Sequence, residues 1–174
     1  MELLEMMKHR RSIRSYTGEP VSDENMELIL KAGLLAPSGK NIKPWEFVVV
    51  KDKETLKKLS VCRPGGAAML KDADAVIVVF GNTGASDVWT EDCSISMAYM
   101  HLMADALGVG SVWVQGRLRE NPDGGMAEDV VRDLLKVPDN YALEAFLSLG
   151  MPAVFPEARE EEALSYDKIH RETF

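Results

Sequence analysis

Along this chain, segments of helical spacing alternate with short runs that contain almost no polar residue, and this interleaving sets the fold class. Leu3, Leu4 and Met7 fit one face of a short helix. Gly18-Glu19-Pro20 reads as a turn. Ser22 follows as an N-cap, with Asp23 and Glu24 in the first turn, where the helix dipole favours acids. Met26, Ile29, Leu30 and Leu34 then recur at three- and four-residue steps, so this helix is expected to bury that face. Ala36 precedes Pro37, whose ring disfavours α conformation in the residue before it and ends the helix. Pro37 to Asn41 is a loop, and Trp45 to Val50 is a strand rich in aromatic and β-branched residues. Glu54 to Val61 has the pattern of a short amphipathic helix, broken by Arg63-Pro64-Gly65-Gly66.

Ala75 to Phe80 has no polar member, as expected for a strand covered on both faces. From about Trp89 to Leu107 the apolar residues, among them Ile95, Met97, Met100, Leu102 and Met103, spread around most of one long helix. Such a helix is buried on several sides, inside a large core or between subunits. Ser111 to Val114 and Ala145 to Leu149 read as third and fourth strands. Val130, Val131, Leu134 and Leu135 mark a helix between them. Pro152 to Phe174 is charged and then carries Tyr166, Ile169 and Phe174, anchors that need a surface such as a second subunit. The order of elements predicts an α/β or α+β sandwich.

Composition narrows the function classes. The chain has 174 residues, which fits one domain, and a net charge of −8, which argues against general nucleic-acid or anionic-membrane binding. No apolar run reaches the roughly 18 residues that span a bilayer. Met1-Glu2-Leu3-Leu4-Glu5 lacks the apolar core of a signal peptide, and Cys62 and Cys93 are too few for a disulfide scaffold. A cytoplasmic setting is the expectation.

Against the acidic background, Lys8, Arg10, Arg11 and Arg14 stand out. The β-branched Ile13 and the following Ser15-Tyr16-Thr17 suggest extended backbone. Arg10, Ser12 and Arg14 then point one way, and Arg11 and Ile13 the other. Two guanidinium forks and a hydroxyl make a socket for a dianionic phosphate, with about 1.5–3 kcal/mol per charge-assisted bond. On this segment alone, a solvated basic cluster fits equally well.

Other chemistries fail on spacing. Gly33 and Gly39 have five residues between them where a P-loop has four, and Lys40 is followed by Asn41. Gly108-Val109-Gly110 lacks the third glycine of a dinucleotide fingerprint, with Trp113 in its place. His9, His101 and His170 are the only histidines. Cys93 and His101 are two ligands at most, which is no zinc site, so His101 reads as a satisfied core residue. Neither cysteine has a nucleophile's partners. A phosphate socket without base, nucleophile or metal implies that a bound cofactor carries the chemistry.

Arg10 to Arg14, Ala36-Pro37-Ser38-Gly39-Lys40-Asn41-Ile42-Lys43-Pro44-Trp45, Ala104 to Trp113 and Leu149 to Ala153 together resemble the FMN-dependent nitroreductase family. The resemblance implies an α+β fold, a three-layer α/β/α sandwich around a mostly antiparallel sheet in an intertwined homodimer. One FMN-binding domain would cover 1–174, with 152–174 as a tail that embraces the partner. It implies that Arg10, Ser12 and Arg14, with Arg11 alongside, grip the FMN phosphate and ribityl chain. Pro37, Ser38, Gly39 and Asn41 would pack on the flavin from the other subunit. Backbone near Gln115 and Gly116 would approach the ring, and Arg159 would add to the phosphate site.

NADH or NADPH would be the co-substrate and an electron-poor small molecule the acceptor. A non-catalytic FMN carrier or regulatory module is the alternative. So is a relative specialised for reductive dehalogenation or flavin breakdown. Three features depart from the family pattern. Lys43 stands where many members have Gln, Arg159 is the only basic residue found for the phosphate in the tail, and the stretch between Phe80 and Trp89 is too short for a long helical insertion over the flavin. Trp45, Trp89 and Met126 fit core or loop packing as readily as a flavin or substrate contact.

Overall fold

The computed structural model describes residues 2–174, so Met1, the first residue of the stretch read for a leader, lies outside it. The elements follow in the order α1 (Leu3–His9), α2 (Asp23–Leu34), β1 (Trp45–Val50), α3 (Lys53–Leu59), β2 (Ala75–Asn82), α4 (Trp89–Ala106), β3 (Gly110–Gln115), α5 (Ala127–Leu135) and β4 (Tyr141–Gly150). The four strands form one antiparallel sheet in the order β1-β2-β4-β3. A single parallel bridge, Ser12 with Ser111, lays the Arg10–Arg14 segment along the free edge of β3.

The apolar run of β2 explains the layering. Alternate side chains of a strand face opposite ways. Ile77 and Val79 pack with Ile29 of α2 and Met97 and Met100 of α4. Val76, Val78 and Phe80 pack on the other side with Leu56 and Leu59 of α3 and Val131 of α5. The sheet is therefore sandwiched, and β2 is buried on both faces, as its composition predicts. The register slips between Val79 and Phe80, so Glu144 of β4 is an extra residue in a bulge beside the end of β3.

Helix starts follow local chemistry. The Ser22 hydroxyl accepts a hydrogen bond from Asn25 N at 3.1 Å and Asp52 accepts one from Thr55 N at 2.8 Å, each satisfying an orphan amide. Ser22→Ala should cost about 1 kcal/mol, read as a lower urea midpoint with an unchanged slope. One expectation is corrected. Leu34 is exposed, because Ala32 and Gly33 take the buried face instead and Gly33 lies hard against Met100. Leu3, Leu4 and Met7 are exposed within this chain, although α1 lies on α4.

The segment after α1 is pinned on both sides. Ile13 N donates to Ser111 O at 2.9 Å, and Ile13 packs so closely on Gly110 that no side chain fits there. Tyr16 Oη bonds Ser148 Oγ at 2.8 Å and donates to Ile13 O at 3.1 Å, while its ring covers Gly150. Buried Ile13 and outward Arg14 match the predicted alternation.

Candidate functional site

The arginines of that segment open into two hollows that share Trp113 as a wall. One, of about 320 Å³, is lined by Arg10, Arg159, His101, Met7, Leu102 and Trp113, with Ala98. The other, of about 480 Å³, is lined by Arg14, Arg63, Arg119, Met69, Trp113 and Gln115, among others. Gln115 is locked in place: its Oε1 accepts from Trp113 Nε1 at 2.9 Å and its Nε2 donates to Arg117 O at 3.2 Å. Gly116 N and Arg117 N both donate to Glu144 O, and Gly116 has no room for a side chain beside Leu143 and Phe146.

Arg159 is 149 residues from Arg10 in sequence and still donates to Arg10 O at 3.0 Å. The tail is drawn there by Arg159 N donating to Lys8 O at 3.0 Å and by Arg11 donating to Glu157 O. Arg10 itself is oriented by His101 on α4, its Nη1 meeting Nε2 at 2.9 Å. A guanidinium can only donate, so Nε2 is the bare acceptor nitrogen. The proton of His101 is then on Nδ1, which donates to Ser111 Oγ at 2.5 Å. Burial first, and then the Arg10 charge, lower His101 to about 4, so the ring is neutral at neutral pH.

Burial and the neighbouring Arg159 charge also lower the Arg10 guanidinium from its ordinary value. Two cations crowd one half-buried hollow. None of Arg10, Arg14, Arg63, Arg119 and Arg159 makes an ion pair among the described residues.

Pro37, Ser38, Gly39 and Asn41 line neither hollow. Their loop is tied to the start of α4, with Gly39 N donating to buried Asp92 at 2.7 Å and Val88 closing the space above Gly39. Ser38 Oγ accepts from Lys43 N at 2.9 Å. Lys40, Asn41 and Lys43 all have φ near +55° (52°, 58° and 54°), a region costly for side-chain-bearing residues and held by these contacts. Within one chain, then, the loop and the arginines are not brought together. Ser12 faces the β3 edge, and no side-chain hydrogen bond holds it among the described residues. Trp45 is core, and Trp89 packs on Gly81 under Arg117 instead of lining either hollow. Met126 is also absent from both.

Arg63, Arg119 and the orienting role of His101 were not apparent from sequence. Arg63 lies in a Pro-Gly run that reads only as a helix breaker, and no local pattern links position 101 to position 10.

Comparison with known proteins adds an independent line. A family model described as the nitroreductase family matches residues 7–62 and 62–151. A solved FMN-dependent nitroreductase from Clostridium difficile R20291 is 43% identical with a TM-score of 0.96, covering 99% of this chain and all of that one. A protein of Archaeoglobus fulgidus, provisionally named NADH dehydrogenase/NAD(P)H nitroreductase, is 41% identical over 98% of each chain. A Desulfovibrio desulfuricans chain solved in complex with FMN is 29% identical with a TM-score of 0.79, over all of this chain and 98% of its own.

Proposed function

The chain belongs to the nitroreductase family, and from that premise we propose an FMN-dependent oxidoreductase that uses NADH or NADPH to reduce a small electron-poor acceptor. The observation that carries the reading is the pair Arg10 and Arg159, two like charges lining one hollow, Arg10 half-buried and Arg159 exposed, and neither in an ion pair among the described residues. A phosphate dianion relieves that repulsion and receives bidentate bonds. FMN fits the residues present: the phosphate at Arg10 and Arg159, and the ring beyond Trp113 in the hollow of Arg14 and Gln115.

When bound, FMN would supply the redox chemistry, hydride transfer through its N5 from the nicotinamide donor to the acceptor in a ping-pong cycle. The chain's own work is positional. His101 holds Arg10 without adding charge. Arg14 puts a cation near the ring, where negative charge accumulates on reduction. The link between β2 and α4 is only residues 83–88, with no insertion to cover the ring hollow, which suits acceptors of varied shape such as nitroaromatics and quinones.

The protein acts as a homodimer in this reading. An apolar groove of about 370 Å³, lined by Leu3, Met7, Leu35, Tyr99, Leu102 and Met103, lies open across α1, α2 and α4, and Leu35 is 78% exposed. Burying it against a second copy brings that copy's Pro37–Asn41 loop to the flavin. The 152–174 tail, with Tyr166, Ile169 and Phe174 all exposed, wraps the partner. Residues 1–174 then act as a single FMN-binding domain. Among the described residues no helix is long and apolar enough to cross a membrane.

The test is direct. Purified protein should be yellow, dimeric and carry one FMN per chain, and should oxidise NADH or NADPH when a nitroaromatic or quinone is added. A yellow dimer without turnover supports the carrier alternative. A colourless monomer that takes up no flavin overturns the reading.

A further inference from the structure

Arg63 and Arg119 are not used by the FMN reading, yet both line two adjoining hollows. One is the ring hollow of about 480 Å³ and the other an outer hollow of about 340 Å³ bounded by Pro64, Leu118 and Glu120. Neither arginine makes an ion pair among the described residues. Arg63 is preformed for binding: its Nη1 donates to Gln115 O at 2.6 Å, and its guanidinium lies flat on Gly66, where a side chain would displace it. Its Nε is sealed against Gly66, which leaves Nη2, without a hydrogen bond among the described residues and not cut off from solvent, as the donor open to a ligand. Arg119 is exposed across the same rim, and no hydrogen bond holds its side chain among the described residues.

We propose that Arg63 and Arg119 are the anion clamp for the phosphate groups of the nicotinamide donor. The inference rests on the FMN reading above and adds the residues that recognise its second ligand. The shape favours this occupant over a small acceptor. The nicotinamide head would stack on the flavin ring in the inner hollow beside Trp113, while a charged body continues outward between the two guanidinium groups. A compact neutral acceptor occupies only the inner space. Glu120 in the outer hollow tempers the charge, so the clamp holds a donor that must also leave after each turnover.

The decisive comparison uses NADH, NADPH and 1-benzyl-1,4-dihydronicotinamide, which has the reducing ring and no phosphate. In the FMN-loaded enzyme, Arg119→Gln should raise KM for NADH and NADPH about tenfold, consistent with one lost charge-assisted contact near solvent. With the variant reconstituted to the same FMN content as the wild type, the KM for the phosphate-free donor should change far less, so the ratio of the two KM values is the readout. Arg63→Gln should act in the same direction; because Arg63 also supports Gln115, Arg119→Gln is the cleaner variant. Unchanged KM values for NADH and NADPH overturn the clamp, as does an equal rise for the phosphate-free donor, which would place the effect in the ring hollow. Protein that purifies without FMN and takes none up fails earlier and removes the premise, so the two failures are distinguishable.

Discussion

Replacing both Arg10 and Arg14 by alanine should give a folded protein that purifies colourless. Each arginine supplies charge-assisted bonds of about 1.5–3 kcal/mol, so the pair accounts for roughly two to four decades in FMN affinity. That loss is enough to strip a cofactor during purification. The fold should survive, because neither side chain is core. Arg14 is exposed and makes no side-chain bond among the described residues, and Arg10 bonds only His101. Truncating Arg10 leaves the His101 acceptor unpaired, at about 1–3 kcal/mol, a cost that a melting curve will register without loss of the transition. Arg10→Lys separates charge from geometry. A point charge keeps the electrostatic part and loses the fork, so FMN should bind weakly instead of not at all. Stoichiometric FMN in the folded double variant would refute the socket.

How much of this was legible beforehand depends on the range of each interaction. β1 matches its predicted bounds and β2 extends only to Asn82 beyond them, because their side-chain pattern reflects burial that each strand meets along its whole length. The helix start at Ser22 was set by a side chain three residues from the amide it caps. The equivalent cap at Asp52 was not apparent from sequence, and α3 runs Lys53–Leu59 where Glu54 to Val61 was expected. Leu34 failed because periodicity identifies a face but not where a neighbouring helix ends; Gly33 against Met100 takes the close approach instead. The site divides the same way. The outward setting of Arg14 and the burial of Ile13 follow from a local alternation, but Arg10 and Arg14 line different hollows and Ser12 lines neither. Arg63 and His101 matter only because β3 runs between them, with Arg63 on its Gln115 carbonyl and His101 on its Ser111 hydroxyl. No window of sequence contains that relation. The separation of the Pro37–Asn41 loop from the arginines is equally invisible within one chain, since the homodimer is what joins them in this reading.

The His101 contact yields the second large effect, on acid stability. Its folded value is lowered to about 4, by burial first and by Arg10 second, against an ordinary value near 6.5. Between these limits the unfolded chain binds a proton that the folded chain refuses. The stabilisation is therefore whole above about pH 6.5 and is lost as pH falls toward 4, by on the order of 3 kcal/mol in all. Between about pH 7.5 and 5 the linkage relation makes the His101 share roughly 2 kcal/mol. Carboxylates titrate at the lower end of the same range, so the measurement must be a difference. His101→Gln retains an oxygen to accept from Arg10 and an amide to donate to Ser111, and it does not titrate. Urea unfolding of FMN-free protein across this window should show the wild type losing about that much more stability than His101→Gln. Parallel pH profiles for the two would mean that position 101 does not carry the proton linkage. His101→Ala, which abandons both partners, should be the less stable variant at neutral pH and should also weaken FMN binding, because Arg10 is then free to leave the phosphate hollow.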